Sequence, residues 1–211
     1  MLVSILPSNN YSTLETELKE LPVLNSEKQY TDRMIYQIER ILMFCYDSTT
    51  INNPIMPIHD FIEAVLKKTR CDWNTIHLAL FLIVKSRFSP NFFLIKKDYM
   101  EKGKKLPISI RCGRRSFITS LIVATKILMD NPPKNKEWSI VMSLSLKELN
   151  IGEREFLHVL DFNTFVSLDR IMLWRSIIHG RDSELINILN ILVEQNCPQE
   201  TELKDENDAF Q

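Results

Sequence analysis

The chain has 211 residues, 45% of them hydrophobic and 25% charged, with a formal net charge of −1. That balance belongs to a globular protein with one full core rather than to a disordered chain, and the length is short for two independent domains. Near-neutral charge excludes a whole-molecule pull toward nucleic acid or membrane, so any such attraction has to be local.

Residues 1–28 read as an irregular N-terminal arm, polar and carrying Pro7 and Pro22, with room for one short helix over Thr13–Glu20. The opening MLVSILP has no basic segment and no cleavage-like site, so it is not a signal peptide. No apolar run reaches the ~18 residues of a spanning helix. From Thr31 to Tyr46, Met34, Ile35, Ile38, Ile41, Leu42 and Cys45 recur at helical spacing and predict the first firm helix. Pro54 and Pro57 mark a loop, after which Phe61, Ile62, Val65 and Leu66 predict a short amphipathic helix ending near Thr69. Asp72 is placed to cap the next helix, whose apolar stripe includes Ile76, Leu80, Ile83 and Val84. Phe88 to Arg111 carries Pro90, Gly103, Pro107 and many lysines, and reads as a long exposed connection with a turn of helix near Phe92.

Arg114 to Asp130 reads as a helix that is apolar nearly all round, and such a helix is enclosed by its neighbours. Pro132-Pro133 ends it. A short helix over Lys136–Met142 surrounds Trp138, and the capping-box pattern from Ser145 to Glu148 opens a further helix running to about Asp161. Two more follow, Leu168–Ile178 behind a Ser167 cap, and Ser183–Gln195 behind Asp182 with Gly180 closing the one before. The tail from residue 198 is acidic and is expected to be disordered. With few β-branched alternations and only 4 glycines, the fold class is all-α.

Two charges stand out inside apolar patterns. At about 100° per residue, Glu153 lies in the apolar stripe of its helix with Phe156, Leu157 and Leu160, and Lys126 is surrounded by Ile122, Val123 and Met129. Taking an ionised group out of water costs several kcal/mol unless it is paired and hydrogen-bonded. Spacing alone therefore leaves an internal ion pair or a snorkelling lysine as the ordinary explanation, and a surface completed by another protein as the alternative. Cys45, Cys71, Cys112 and Cys197 are widely spaced and read as reduced, buried thiols, which favours a nuclear or cytoplasmic location. They form no metal spacing with His59, His77, His158 or His179, and no phosphate loop or nucleophile motif is present. Neither catalysis nor a cofactor or metal is expected.

The run CGRRSFITSLIVATKILMDNPPKNKEW followed by LKELNIGEREFLHVLDF resembles the third to fifth helices of a cyclin box, and in particular the PCL-type fungal cyclins, partners of the yeast phosphate-pathway cyclin-dependent kinase. The arginine-rich start, Ala124 two before Lys126, Asp130-Asn131, Trp138, and the Glu-x-x-Phe-Leu-x-x-Leu-x-Phe pattern from Glu153 to Phe162 carry the resemblance. It implies a single five-helix cyclin box. The arm would cover 1–28, an N-terminal helix and the box 29–166, C-terminal helices packed on the box 167–197, and the acidic tail 198–211. The residues left after Val166 are too few for a second box.

The resemblance also implies a function: a non-catalytic regulatory subunit that binds and activates a cyclin-dependent serine/threonine kinase and helps select its substrates. In that family the corresponding lysine and glutamate contact the kinase's mobile regulatory helix. Lys126 and Glu153 take that role here, with Ile127, Leu157 and Phe162 as apolar contacts. They are expected close together, both turned toward the kinase rather than committed to one another. Thr164 stands where the family usually has an apolar residue. PIHDFIEAVLKKTRC lacks the arginine-bearing motif of cell-cycle cyclins, so no docking groove is carried over.

One basic stretch, 85–115, remains. Lys85, Arg87, Lys96, Lys97, Lys102, Lys104, Lys105, Arg111, Arg114 and Arg115 stand there against Asp98 and Glu101. A run of this kind is ordinarily a solvated face. Docking of acidic or phosphorylated protein substrates by Lys96, Lys97, Lys102, Lys104 and Lys105 ranks next, ahead of a nucleic-acid-binding or transcription-adaptor role. Ser89-Pro90 is a candidate proline-directed phosphorylation site.

Overall fold

The computed structural model describes residues 27–46, 56–180 and 185–190, and among them there is no strand but a succession of helices. These are α1 (Glu27–Cys45), α2 (Ile58–Thr69), α3 (Trp73–Arg87), α4 (Pro90–Glu101), α5 (Ile108–Arg111), α6 (Gly113–Leu128), α7 (Asn135–Met142), α8 (Leu146–Val159) and α9 (Leu168–His179). Residues 185–190 add a further helical segment. The possible helix over Thr13–Glu20, Asp182, Cys197 and the acidic tail lie outside the described residues.

The centre is the neighbouring pair α3 and α6, each enclosed by other helices: α1 and α9 pack on α3, and α5, α8 and α1 on α6. This enclosure is why both sequences are apolar nearly all round. Every residue from Thr75 to Val84 and from Ser116 to Thr125 is buried. The small hydroxyl residues inside α6 bond back to its own carbonyls, Ser120 to Phe117 at 2.8 Å and Thr125 to Leu121 at 2.7 Å, so no polar group is stranded there. α2 packs on α1 and α7, and α7 closes over α8.

Local chemistry fixes several boundaries. The Asp72 carboxylate accepts from the Thr75 amide at 2.9 Å and from its hydroxyl at 2.9 Å, and these bonds hold its pKa below the usual value against the opposing effect of burial. Ser145 accepts from the Glu148 amide at 3.1 Å, but the reciprocal half of the expected capping box is missing. The Glu148 carboxylate instead meets Arg115 Nε at 3.1 Å across to α6, because an ion pair there outcompetes a return bond to the Ser145 amide. The return half of such a box forms alone one helix earlier, where the Glu137 carboxylate accepts from the Lys134 amide at 2.7 Å. Ser167 occupies the N-cap position of α9 without a side-chain capping bond.

The largest departure from the sequence reading is 88–111, expected as a long exposed connection. It contains the twelve-residue α4 and the short α5. Ser89 is the N-cap, its Oγ accepting from the Phe92 amide at 3.1 Å, and Pro90 falls in the first turn, where its missing N–H costs nothing. The proline that suggested a break therefore starts a helix. α4 is anchored by Phe92, which forms a small second core with Ile110 and Val159, and by the Ser89 hydroxyl donating to the Val159 carbonyl at 2.9 Å.

α9 is tied to the centre by Trp174, only 2% exposed, whose ring stands edge-on to Phe81 at 5.9 Å and whose indole N–H donates to the His77 carbonyl at 3.0 Å. Beside it, His77 Nε2 lies 3.2 Å from His179 Nε2, which is in turn 3.1 Å from the Tyr30 hydroxyl. Three helices, α1, α3 and α9, meet in that polar contact. Arg33 of α1 reinforces it by donating to the carbonyls of His179 and Gly180 at 2.7 and 2.6 Å.

Candidate functional site

The enclosed part of α6 stops at Thr125, 4% exposed, and the helix then runs out of cover. Ile127, Leu128 and Met129 are 43%, 48% and 46% exposed, although nothing in their types asks for water. Lys126 sits in this last turn, where the partial negative charge of the helix C-terminus favours a cation. α8 runs alongside α6 and brings Glu153 opposite it.

Lys126 and Glu153 form an ion pair, Nζ to Oε1 at 2.6 Å and to Oε2 at 2.8 Å. The expectation that they would be near one another without pairing is corrected by these distances. Two charges left apart at 33% and 15% side-chain exposure would each keep a desolvation cost that the bidentate contact offsets. Sequence reasoning missed a third member. Asn135, the first residue of α7, donates its amide to Glu153 Oε2 at 2.6 Å and to Asn150 Oδ1 at 2.8 Å. Nothing in its sequence setting beyond the preceding Pro132-Pro133 pointed to it, since its role depends on how α7 folds back over α8.

The arrangement leaves bonding capacity. A lysine ammonium has three N–H groups, and two go to Glu153. One donor and the remaining carboxylate lone pairs are available to another molecule without breaking the pair. Around the charged cluster lie exposed apolar groups: Ile127, Leu128 and Met129 on one side, and Phe162, 67% exposed, beyond the end of α8. Leu157, one turn after Glu153, is only partly exposed and packs on the core. Thr164 is half-buried, and its amide donates to the Phe162 carbonyl at 3.0 Å. Exposed apolar groups beside a charged pair with spare hydrogen-bonding capacity are what a protein-binding surface offers, the first supplying buried area and the second fixing register.

The basic stretch 85–115 does not stay together. Lys85 bonds the carbonyls of Asn163 and Phe165. Arg87 lies over the rings of Tyr46 and Phe92 at 4.6 and 4.1 Å. Arg114 donates to the Met56 carbonyl and covers Phe61, and Arg115 pairs with Glu148. What remains as an exposed group is Lys96, Lys97, Lys102, Lys104, Lys105 and Arg111, with Lys102 bonded to Asp98 at 2.6 Å and Lys97 near Glu101 at 4.0 Å. The Ser89 hydroxyl, the candidate phosphorylation site, is used as both cap acceptor and interhelical donor, so a phosphoryl group there would displace both bonds.

Of the four cysteines, Cys45, Cys71 and Cys112 form no disulfide; Cys45 is buried, which pushes its pKa up to about 12, while Cys71 and Cys112 are half-buried rather than enclosed as expected. Among the described residues no three His, Cys, Asp or Glu side chains cluster as metal ligands, and no single helix is long and apolar enough to cross a membrane.

Comparison with known proteins converges on the same segment. Residues 87–164 match the cyclin family model. The chain is 31% identical over 126 residues to PHO85 cyclin-5 of Saccharomyces cerevisiae, covering 60% of this chain and 52% of that one. It is 27% identical over 111 residues to the G1/S-specific cyclin pas1 of Schizosaccharomyces pombe, covering 53% and 25%, and 27% identical over 141 residues to Cyclin-U4-1 of Arabidopsis thaliana, covering 65% and 59%. It thus spans about half the length of the first of these relatives. No solved structure matches the chain significantly. The matched segment runs from the end of α3 through the Lys126–Glu153 cluster to the turn after α8, and over it this all-α chain is similar to the cyclin family.

Proposed function

We propose that the chain is the regulatory subunit of a cyclin-dependent serine/threonine kinase, binding and activating it without doing chemistry itself. The observation that carries this reading is the Lys126–Glu153–Asn135 cluster beside its exposed apolar groups, on the segment that matches the cyclin family. Lys126 and Glu153 offer their unused donor and lone pairs to the backbone of the kinase's regulatory helix and the segment before it. Ile127, Leu157 and Phe162 supply the apolar contact beside them. A rigid surface that binds the active arrangement more tightly than the inactive one shifts the kinase toward it. A differential affinity of about 5.5 kcal/mol turns a 1:99 population into 99:1. The exposed lysines Lys96, Lys97, Lys102, Lys104 and Lys105 form a secondary surface for acidic or phosphorylated protein substrates, and the complex works in the nucleus or cytoplasm.

The test is mass spectrometry of proteins that co-purify with the full chain. A cyclin-dependent kinase in near-equal amount is expected, and its recovery should fall when Lys126 or Glu153 is replaced by Ala. Equal recovery with wild type and both variants would refute the assignment of this surface.

A further inference from the structure

Lys85 stands at the end of α3, half-buried, with its pKa held below the usual value by desolvation and then by the nearby charge of Arg170. Its three N–H groups meet three acceptors: the Asn163 carbonyl at 2.7 Å, Asn163 Oδ1 at 3.1 Å and the Phe165 carbonyl at 3.3 Å. All belong to the turn that follows α8. In that turn Asp161 and Phe162 take φ of 52° and 54°, the left-handed region that residues with a Cβ seldom adopt. Such a conformation persists where its surroundings over-determine it. Here they are the bonds from Lys85 and four amide bonds of the turn itself: Asp161 to His158, Phe162 to Leu157, Asn163 to Leu160 and Thr164 to Phe162. The result is that Phe162 and Phe165 face water, and Phe165, at 78%, is the most exposed large apolar side chain among the described residues. The turn begins one helical turn past Leu157 and itself carries Phe162, one of the exposed apolar groups of the surface described above.

We propose that Lys85 is a positioning residue of the kinase-binding surface, holding the 161–166 turn so that Phe165 joins Phe162 as its apolar end. The proposal rests on the kinase-binding reading above. The occupant is the kinase, because the two rings extend a surface whose polar centre is already part of that reading. Lys85 does not contact the partner; it acts through the turn.

Lys85→Met keeps the aliphatic stem and removes the three bonds. In the free full-length chain, amide hydrogen exchange at Phe162, Asn163 and Thr164 is expected to rise at least about tenfold in this variant. Its affinity for the kinase recovered with the wild-type chain should fall about tenfold. Phe165→Ser, an exposed substitution that leaves the turn's bonds in place, should lose about as much affinity with exchange unchanged. Unchanged exchange in Lys85→Met overturns the positioning role. Wild-type affinity of Phe165→Ser, while Lys126→Ala binds weakly, overturns the extension of the surface and leaves the kinase reading standing. Recovery of no kinase with the wild-type chain overturns both, and pairing of the wild-type chain with itself through Phe165 would overturn the choice of occupant.

Discussion

Lys126 and Glu153 illustrate how a side chain's meaning depends on what it faces. Each is a charge set among apolar residues, and the structure resolves the apparent conflict by joining them, with Asn135 as a third member. Because the pair is partly buried, removing one partner strands the other. Lys126→Ala and Glu153→Ala are each expected to lower stability by about 1–2 kcal/mol in urea denaturation, with the double variant losing less than the sum. Strict additivity would show that the pair is not coupled. A second residue-scale prediction concerns His77, which is fully buried against His179 with Arg175 of α9 nearby, while His179 in turn meets Tyr30 and Arg33 of α1. Desolvation first, then the neighbouring His179 and Arg175, lowers its pKa from 6.5 to about 3. The unfolded chain therefore binds a proton on this ring at a higher pH than the folded one does. The stabilisation is fully present above pH 6.5 and is lost progressively as pH falls toward about 3. Stability measured between pH 7 and pH 4 should fall with acidification, and His77→Gln should flatten that slope. An unchanged slope would exclude the ring as its source.

At the scale of the element, α4 teaches most. Its start was visible in the sequence as Ser89-Pro90, but a Ser-Pro pair followed by a lysine cluster resembles a break as closely as a beginning. Only the packing of Phe92 on Ile110 and Val159 makes the twelve residues worth ordering. Ser89→Ala removes both the cap and the bond to the Val159 carbonyl, so a loss of about 1–2 kcal/mol is expected in thermal or chemical denaturation. A loss no larger than that of an exposed surface substitution would show that the hydroxyl is not holding α4 to α8. Asp72, by contrast, was legible from sequence alone, because an N-cap is a contact over three residues and needs no tertiary partner. The Ser145 cap was equally legible, whereas Glu148 was not, since Arg115 reaches it only once α6 and α8 are side by side.

For the whole molecule, the contact of α9 with the central pair decides how far the folded unit extends. Trp174 is buried against Phe81 and bonded to the backbone of α3, so the helix after the matched segment shares its core. Trp174→Ala should cost about 3–5 kcal/mol, and far-UV circular dichroism and tryptophan fluorescence of the wild-type chain should report one coincident unfolding transition. Separate transitions would mean that α9 melts alone. Sequence by itself determined the all-α class, most helix boundaries and the enclosure of α6, because periodicity and capping act over a few residues. It also placed Lys126 and Glu153 among the residues to explain. Tertiary structure alone decided that these two are bonded to each other and to Asn135, that Lys85 belongs to the turn after α8 rather than to a basic patch, and that α4 is a helix. Those outcomes rest on contacts between helices distant in sequence, whose crossing sets which donor meets which acceptor.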